Sequence, residues 1–139
     1  MNKEALSFWS RAVDSLQGAA HVLSVSSDRA ASSAYYAAFY AVSAHFALAQ
    51  RSFSKHSAVQ AAVHRDLVNA GLWPKELGEE YSDLVRLRTT DDYGVEVRVS
   101  QEDAQMAVAD AQRILRAVQQ MRPDLFADPE SLPKDNHQA

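Results

Sequence analysis

The chain has 139 residues, 47% hydrophobic and 23% charged, with no cysteine; this describes one globular domain able to bury a core without disulfides or metal, and it excludes thiolate nucleophiles and Cys-ligated metal. Four glycines and four prolines among many alanines favour an all-α chain. A net charge of −4 gives no global attraction to nucleic acid, so any RNA contact must be local.

The start, Met1-Asn2-Lys3-Glu4, has no basic region followed by an apolar segment, so no secretory signal is expected. No apolar run approaches a membrane span. With the lack of cysteine, this points to a cytoplasmic protein with no membrane partner. A first helix is expected over residues 2–23, because Leu6, Trp9, Val13, Leu16, Ala20 and Leu23 recur at alternating steps of three and four. Residues 24–27 break it, and Ser27 or Asp28 is the expected cap of the next helix. That second helix, residues 29–50, carries a stripe of Tyr35, Phe39, Val42, Phe46 and Ala49, with Tyr36 and Tyr40 beside it and alanines elsewhere. A helix apolar nearly all round belongs at the centre of a bundle.

A third helix is expected over 55–69, capped by Ser54, with Val59, Ala62, Val63 and Leu67 inward, and Gly71 stops it. Pro74 suits the first turn of a fourth helix over 75–90. Its inward stripe runs Leu77, Tyr81, Leu84 and then Arg88, a guanidinium where an apolar residue is called for. Residues 91–99 read as irregular, with Gly94 free to take a positive φ. Ser100 with Asp103 resembles a capping box for a last helix, where Ala104, Ala107, Ala111, Ile114, Val118 and Met121 step three and four. Pro123 ends it. The expected organisation is one up-and-down bundle of about five helices, residues 1–122, followed by a polar, flexible tail, 123–139.

Five pieces in order carry a resemblance. They are Ala34-Tyr35-Tyr36-Ala37-Ala38-Phe39-Tyr40-Ala41; Ser54-Lys55-His56; Gly71-Leu72-Trp73-Pro74-Lys75-Glu76-Leu77-Gly78; Arg88 through Asp91-Asp92-Tyr93-Gly94; and the last helix with Ala107 and Ala111. Together, over roughly residues 5–120, they resemble the HEPN superfamily, in particular its small stand-alone bacterial and archaeal members. The resemblance implies a HEPN-like bundle that commonly forms a homodimer. It implies that many members are metal-independent endoribonucleases using an Arg and, a few residues later, a His near the dimer interface. Many are toxins paired with a small nucleotidyltransferase antitoxin; others are non-catalytic binding or assembly modules. No cofactor is implied.

The sequence departs from the nuclease pattern after Arg88, where Thr89, Thr90, Asp91, Asp92 and Tyr93 follow with no His. An Arg followed by Asp-Tyr resembles the usual variant of the small members, so Arg88 carries over as the motif Arg and the His role does not. Relatives often have an Arg just before the Tyr-Tyr pair; here that stretch is Ser32-Ser33-Ala34. Arg51 and His56 reproduce the bare Arg-to-His spacing and are read as chance recurrence.

Cleavage of RNA without metal needs a base for the 2′-OH, a cation for the phosphorane and an acid for the 5′-oxygen. Arg88 suits the cation role, because its fork matches phosphate oxygens; the plain alternative is a structural pair with Asp91 or Asp92. His56 is the acid/base candidate, with Lys55 beside it able to hold phosphate; the alternative is a His that packs at a helix start. Asp92 and Tyr93 are candidate assistants, Tyr93 by hydrogen bonding, stacking or accepting a modification, against an ordinary loop tyrosine. Tyr35, Tyr36 and Tyr40 read as core or interface. His45 is a possible pocket residue, and His64-Arg65 falls on a solvated face. The His, Asp and Glu spacings suggest no metal site. Two readings stay open: an endoribonuclease toxin, or a non-catalytic module binding a nucleotidyltransferase or a nucleotide.

Overall fold

Helix-forming residues and their punctuation dictate the order of elements, and the computed structural model describes residues 2–92 and 99–130, with 89–92 described by backbone alone. Among the described residues there are five α-helices: α1 (Lys3–Val22), α2 (Ser27–Ala47), α3 (His56–Ala62), α4 (Lys75–Asp92) and α5 (Gln101–Met121). This is the all-α bundle that the periodicity called for. Helix α2 lies at its centre, touching α1, α4 and α5. Its alanines 30, 31, 34, 37, 38, 41 and 44 have no exposed surface, so neighbouring backbones approach closely where longer side chains would hold them off. No described helix is long and apolar enough to cross a membrane.

Helix α1 buries the middle of its expected stripe, Trp9, Val13 and Leu16, but is rotated so that alanines replace the ends of that stripe. Ala5, Trp9, Ala12, Val13, Leu16 and Ala19 are buried, whereas Leu6 is 43% exposed and Ala20 faces solvent. Ala5, Ala12 and Ala19 recur every seven residues and let α1 settle onto the alanine face of α2. The packing area gained there, with Trp9 buried, outweighs one exposed Leu. The cap of α2 is Ser26, not Ser27 or Asp28: its Oγ accepts from Arg29 N–H at 3.2 Å. Ser27 instead donates to Gln101 (2.9 Å), and Asp28 accepts from Val99 N–H (3.0 Å). Both residues tie the start of α5 to the start of α2.

The expected single third helix is two pieces. Helix α3 has Lys55, not Ser54, at its N-cap, with no side-chain cap bond. It then widens into a π-helical turn, Val63–Val68, where Asn69 N–H reaches back five residues to His64 O at 2.9 Å. Val59, Ala62, Val63 and Leu67 are buried as expected. Gly71 at φ +85° ends the segment, a conformation that only Gly adopts without strain. Helix α4 passes the π-helical turn at Gly78, where an added Cβ would stand 2.7 Å from Val68 Cγ2 and 3.2 Å from the His64 ring. Helix α4 continues to Asp92 rather than stopping at 90; the expected turn at Gly94 lies outside the described residues. Ser100 caps α5 by accepting from Asp103 N–H at 3.0 Å.

Residues 124–130, set apart in the sequence as the start of a polar tail, pack back on the bundle. Phe126 is fully buried and stacks on Trp9 at 4.9 Å. Trp9 Nε1–H donates to Ala127 O (3.1 Å), and Arg116 pairs with Glu130 (2.8 Å). Residues 131–139 lie outside the described residues.

Candidate functional site

Consecutive tyrosines on a helix point about 100° apart, so Tyr35 and Tyr36 on α2 serve two neighbours at once. Tyr35 is fully buried, and its hydroxyl hydrogen-bonds His56 Nδ1 at 2.7 Å. Tyr36 is half-buried, and its hydroxyl accepts from Arg88 Nη2 at 3.2 Å. The two rings meet edge-on at 5.1 Å. Arg88 Cζ lies 5.2 Å from the Tyr35 ring and 5.6 Å from the Tyr36 ring. Arg88 is half-buried at the end of the Leu77, Tyr81, Leu84 stripe, so the inward guanidinium of the sequence does face the bundle. Its charge rests on aromatic faces, a favourable setting for a partly desolvated cation.

His56 is the first residue of α3. Its ring stacks on Phe39 at 4.3 Å and meets Tyr36 edge-on at 5.9 Å. The aromatic sandwich and the Tyr35 bond fix both the plane and the rotation of the imidazole. When Nδ1–H donates to Tyr35 Oη, Nε2 carries the lone pair and can accept a proton. Beneath them Tyr81 is fully buried, its ring 6.3 Å from that of Tyr35. Burial pushes the Tyr81 hydroxyl well above a free phenol, and Tyr35 adds to the rise, so it stays neutral.

The structure therefore brings together Arg88 and His56, which stand far apart in the sequence, through a tyrosine pair assigned from sequence to core or interface. Lys55 is exposed and adjoins His56 only through the chain. The side chains of Asp91 and Asp92, and all of Tyr93, lie outside the described residues. Arg51, which shares the bare spacing with His56, is occupied elsewhere. It pairs with Asp66 (2.8 Å) and covers Phe46 and Phe53 at 4.8 and 5.4 Å, clamping the end of α2 to the π-helical turn. The Asp66 carboxyl is held below its ordinary range by Arg65 and Arg51.

Two further histidines lie near this site's supporting elements, and one of them departs from its sequence reading. His45 contacts Phe46; burial, then Arg51, lowers its proton affinity. His64 is not on a solvated face: its Nε2 hydrogen-bonds Ser82 Oγ at 2.9 Å, and Gln60 Nε2 donates to the same oxygen at 3.1 Å. These bonds clip α3 and the π-helical turn to α4, the helix that carries Arg88. Periodicity carries no trace of the π register, which shows in the five-residue hydrogen bond from Asn69 N–H to His64 O.

A second charged cluster joins α4 to α5. Arg113 Nε donates to both Glu80 oxygens (3.1 and 3.2 Å), and its Nη2 donates to Asp110. Asp110 is 6% exposed. Burial and the nearby Glu80 raise its carboxyl to about 6, against the lowering effect of Arg113. Among the described residues no group of His, Asp and Glu is placed to hold a metal ion.

Comparison with known proteins bears on this site. The HEPN domain family profile matches residues 5–121, a span that includes every residue of the aromatic site. A UPF0332 protein of Thermotoga maritima is 41% identical over 91 residues, covering 66% of this chain and 69% of the relative.

Proposed function

The chain belongs to the HEPN domain family, a family of nuclease, RNA-related or nucleotidyltransferase-partner modules, and on that premise we propose that it is a metal-independent endoribonuclease centred on Arg88 and His56. The observation that carries the reading is the shared tyrosine pair, which holds the guanidinium of Arg88 and the imidazole of His56 against one aromatic cluster. His56 Nε2 takes the proton of a ribose 2′-OH. The 2′-oxygen then bonds to phosphorus, and Arg88 stabilises the phosphorane through its charged fork. The P–O5′ bond breaks, the 5′-oxygen takes a proton from solvent, and a 2′,3′-cyclic phosphate and a 5′-hydroxyl result. Tyr36 positions Arg88, and Tyr35 positions His56. Asp92, Tyr93 and Lys55 enter the proposal as assisting groups by their place next to Arg88 and His56 in the chain.

In the same reading the protein acts as a homodimer, in the cytoplasm, as the toxin of a pair whose antitoxin is a small nucleotidyltransferase. The test is RNA integrity on incubation with purified protein in excess EDTA. Wild type should leave cyclic-phosphate ends, and Arg88→Ala should not while keeping its helical circular dichroism. RNA left intact by the wild type would defeat the proposal. It would favour the non-catalytic module, to which the lack of a His after Arg88 already points.

A further inference from the structure

The outer face of the α1–α2 pair has a composition unlike the rest of the surface. On α1 the positions Phe8, Arg11, Ser15, Gly18 and Val22 share one side of the helix; on α2 the positions Tyr40, Tyr36, Ser33, Ser32 and Arg29 do so. The helices run antiparallel, because Phe8 near the start of α1 stacks on Tyr40 near the end of α2 (6.3 Å, 25° between planes). The two stripes therefore face each other along one shallow groove. At one end the rings of Phe8, Tyr40 and Tyr36 follow in steps of 6.3 and 6.0 Å, and the last of them holds Arg88. Arg11 Cζ lies 5.9 Å over Tyr40. At the other end Gly18, Val22, Arg29, Ser32 and Ser33 line a hollow of about 320 Å³, kept open at Gly18, where a Cβ would meet nothing within 4 Å.

Charge pairing sets this groove apart. Arg51, Arg65, Arg86, Arg113, Arg116 and Arg122 each pair with a carboxylate. Arg11 and Arg29 pair with none among the described residues, and both lie on this face. Half-buried rings interleaved with guanidiniums are what an unpaired nucleic acid strand needs: a π-face for each base and cations for the backbone between them. A duplex hides its base faces and cannot use the rings. A second copy of the chain offering the same face would set Arg11 and Arg29 against their own kind, with Glu4 as the carboxylate position on the α1 stripe. From Phe8 to Val22 the groove is about 21 Å long, at about 1.5 Å per helical residue, room for a few nucleotides.

We propose that the α1–α2 groove is a track for single-stranded RNA, in which Tyr40 and Phe8 stack unpaired bases beside Arg88 and the Gly18 hollow, with Arg29, Ser32 and Ser33, takes a backbone phosphate. The proposal rests on the endoribonuclease reading for its substrate class and extends it to residues outside the reacting centre.

The test is binding of an uncleavable probe, a fully 2′-O-methylated pyrimidine octamer, as a single strand and as a duplex. Wild type should prefer the single strand. Tyr40→Ala should weaken single-strand binding about 5- to 100-fold, while Tyr40→Trp should keep it, since the ring face and not the hydroxyl is used. Should Tyr40→Ala fold poorly, the exposed Arg11→Ala and Arg29→Ala carry the same test: each should lower the slope of log affinity against log salt by about 0.7. Equal loss of single strand and duplex, unchanged binding in all three alanine variants, or a change in molecular mass that accounts for the loss would overturn the track, the last by making the groove an interface between copies. RNA cleavage that depends on Arg88 while the groove variants bind normally sinks the track alone. Groove-dependent binding without cleavage by wild type sinks the nuclease reading and leaves the track standing.

Discussion

Arg88 and Arg113 both cross from one helix to another, yet they are provided for in opposite ways. Arg113 on α5 is gripped by two carboxylates, Glu80 on α4 and Asp110 on its own helix. Arg88 on α4 is laid against Tyr35 and Tyr36 and bonded to a phenol hydroxyl. Carboxylates hold Arg113 between two helices; the rings and the phenol hydroxyl set the plane of the Arg88 guanidinium. The first arrangement fastens two helices together. The second orients the cation that the proposed reaction uses. The carboxyl beside Arg113 shows the cost of the first arrangement, since Asp110 is buried deeply enough for its proton affinity to rise despite the arginine.

The largest expected effect separates the two arginines by function. In the EDTA cleavage assay Arg88→Ala should lose about 10²–10³-fold, as removal of a charge-stabilising donor does elsewhere. Arg88→Lys should lose nearly as much, because an ammonium cannot use the planar fork. Arg113→Ala should cleave within about threefold of wild type. Equal losses at both positions would erase the contrast. Stability should show the reverse order. Arg113→Ala leaves Asp110 buried beside Glu80 with its donor gone, which should cost about 1–3 kcal/mol in urea unfolding. Gly78→Ala, which drives a Cβ into Val68, should cost about the same and, by shifting α4, should also reduce cleavage.

A smaller effect tests how the rings set the histidine. Tyr35→Phe keeps the stack on Phe39 and the edge-on contact with Tyr36 but removes the oxygen 2.7 Å from His56 Nδ1. Loss of one buried hydrogen bond, about 1–1.5 kcal/mol, corresponds to about a tenfold fall in cleavage. A Tyr35→Phe variant that cleaves as fast as wild type would mean that His56 is packing and not proton transfer.

How much of this was legible in the sequence differs between elements for physical reasons. The inward faces of α4 and α5 followed from steps of three and four, carried by Leu77, Tyr81 and Leu84 in one and by Ala104, Ala107, Ala111, Ile114 and Val118 in the other. In α1 two faces competed, and the alanines that decided it are nearly silent in a hydrophobic pattern; close backbone approach to α2 overrode Leu6. Arg88 stood out as a charge on an apolar stripe, and His56 as a titratable group in a matched piece. Their junction did not show, because Tyr35 and Tyr36 look like core until the fold supplies a neighbour on each side. The π-helical turn was equally hidden: a five-residue hydrogen bond buries the same Val59, Ala62, Val63 and Leu67 as a four-residue one.

The smallest effect probes the carboxylate side of the comparison through pH. Asp110 binds its proton more tightly in the folded protein, at about 6, than in an unfolded chain, from 3.8. The folded state thus takes up a proton before the unfolded state does as the pH falls. Stability from this group is therefore present in full below about 4 and is lost as the pH rises through about 6. On acidification from pH 7 to 4.5 the wild type should gain on the order of 1 kcal/mol from this group. Asp124 and Asp66, which arginines hold below the ordinary carboxylate range, act in the opposite sense, and mainly below pH 4. The two contributions are separated by Asp110→Asn, which keeps an oxygen for Arg113 but cannot ionise; its unfolding free energy should vary less between pH 7 and 4.5 than that of the wild type. Glu80→Gln should also flatten the profile, more weakly, because it removes a charge that raises Asp110 while loosening Arg113. If the Asp110→Asn profile parallels the wild type across that window, Asp110 is ionised at little cost. The Arg113 cluster would then be as well compensated as a surface ion pair, and the contrast with Arg88 would rest on the kind of contact alone.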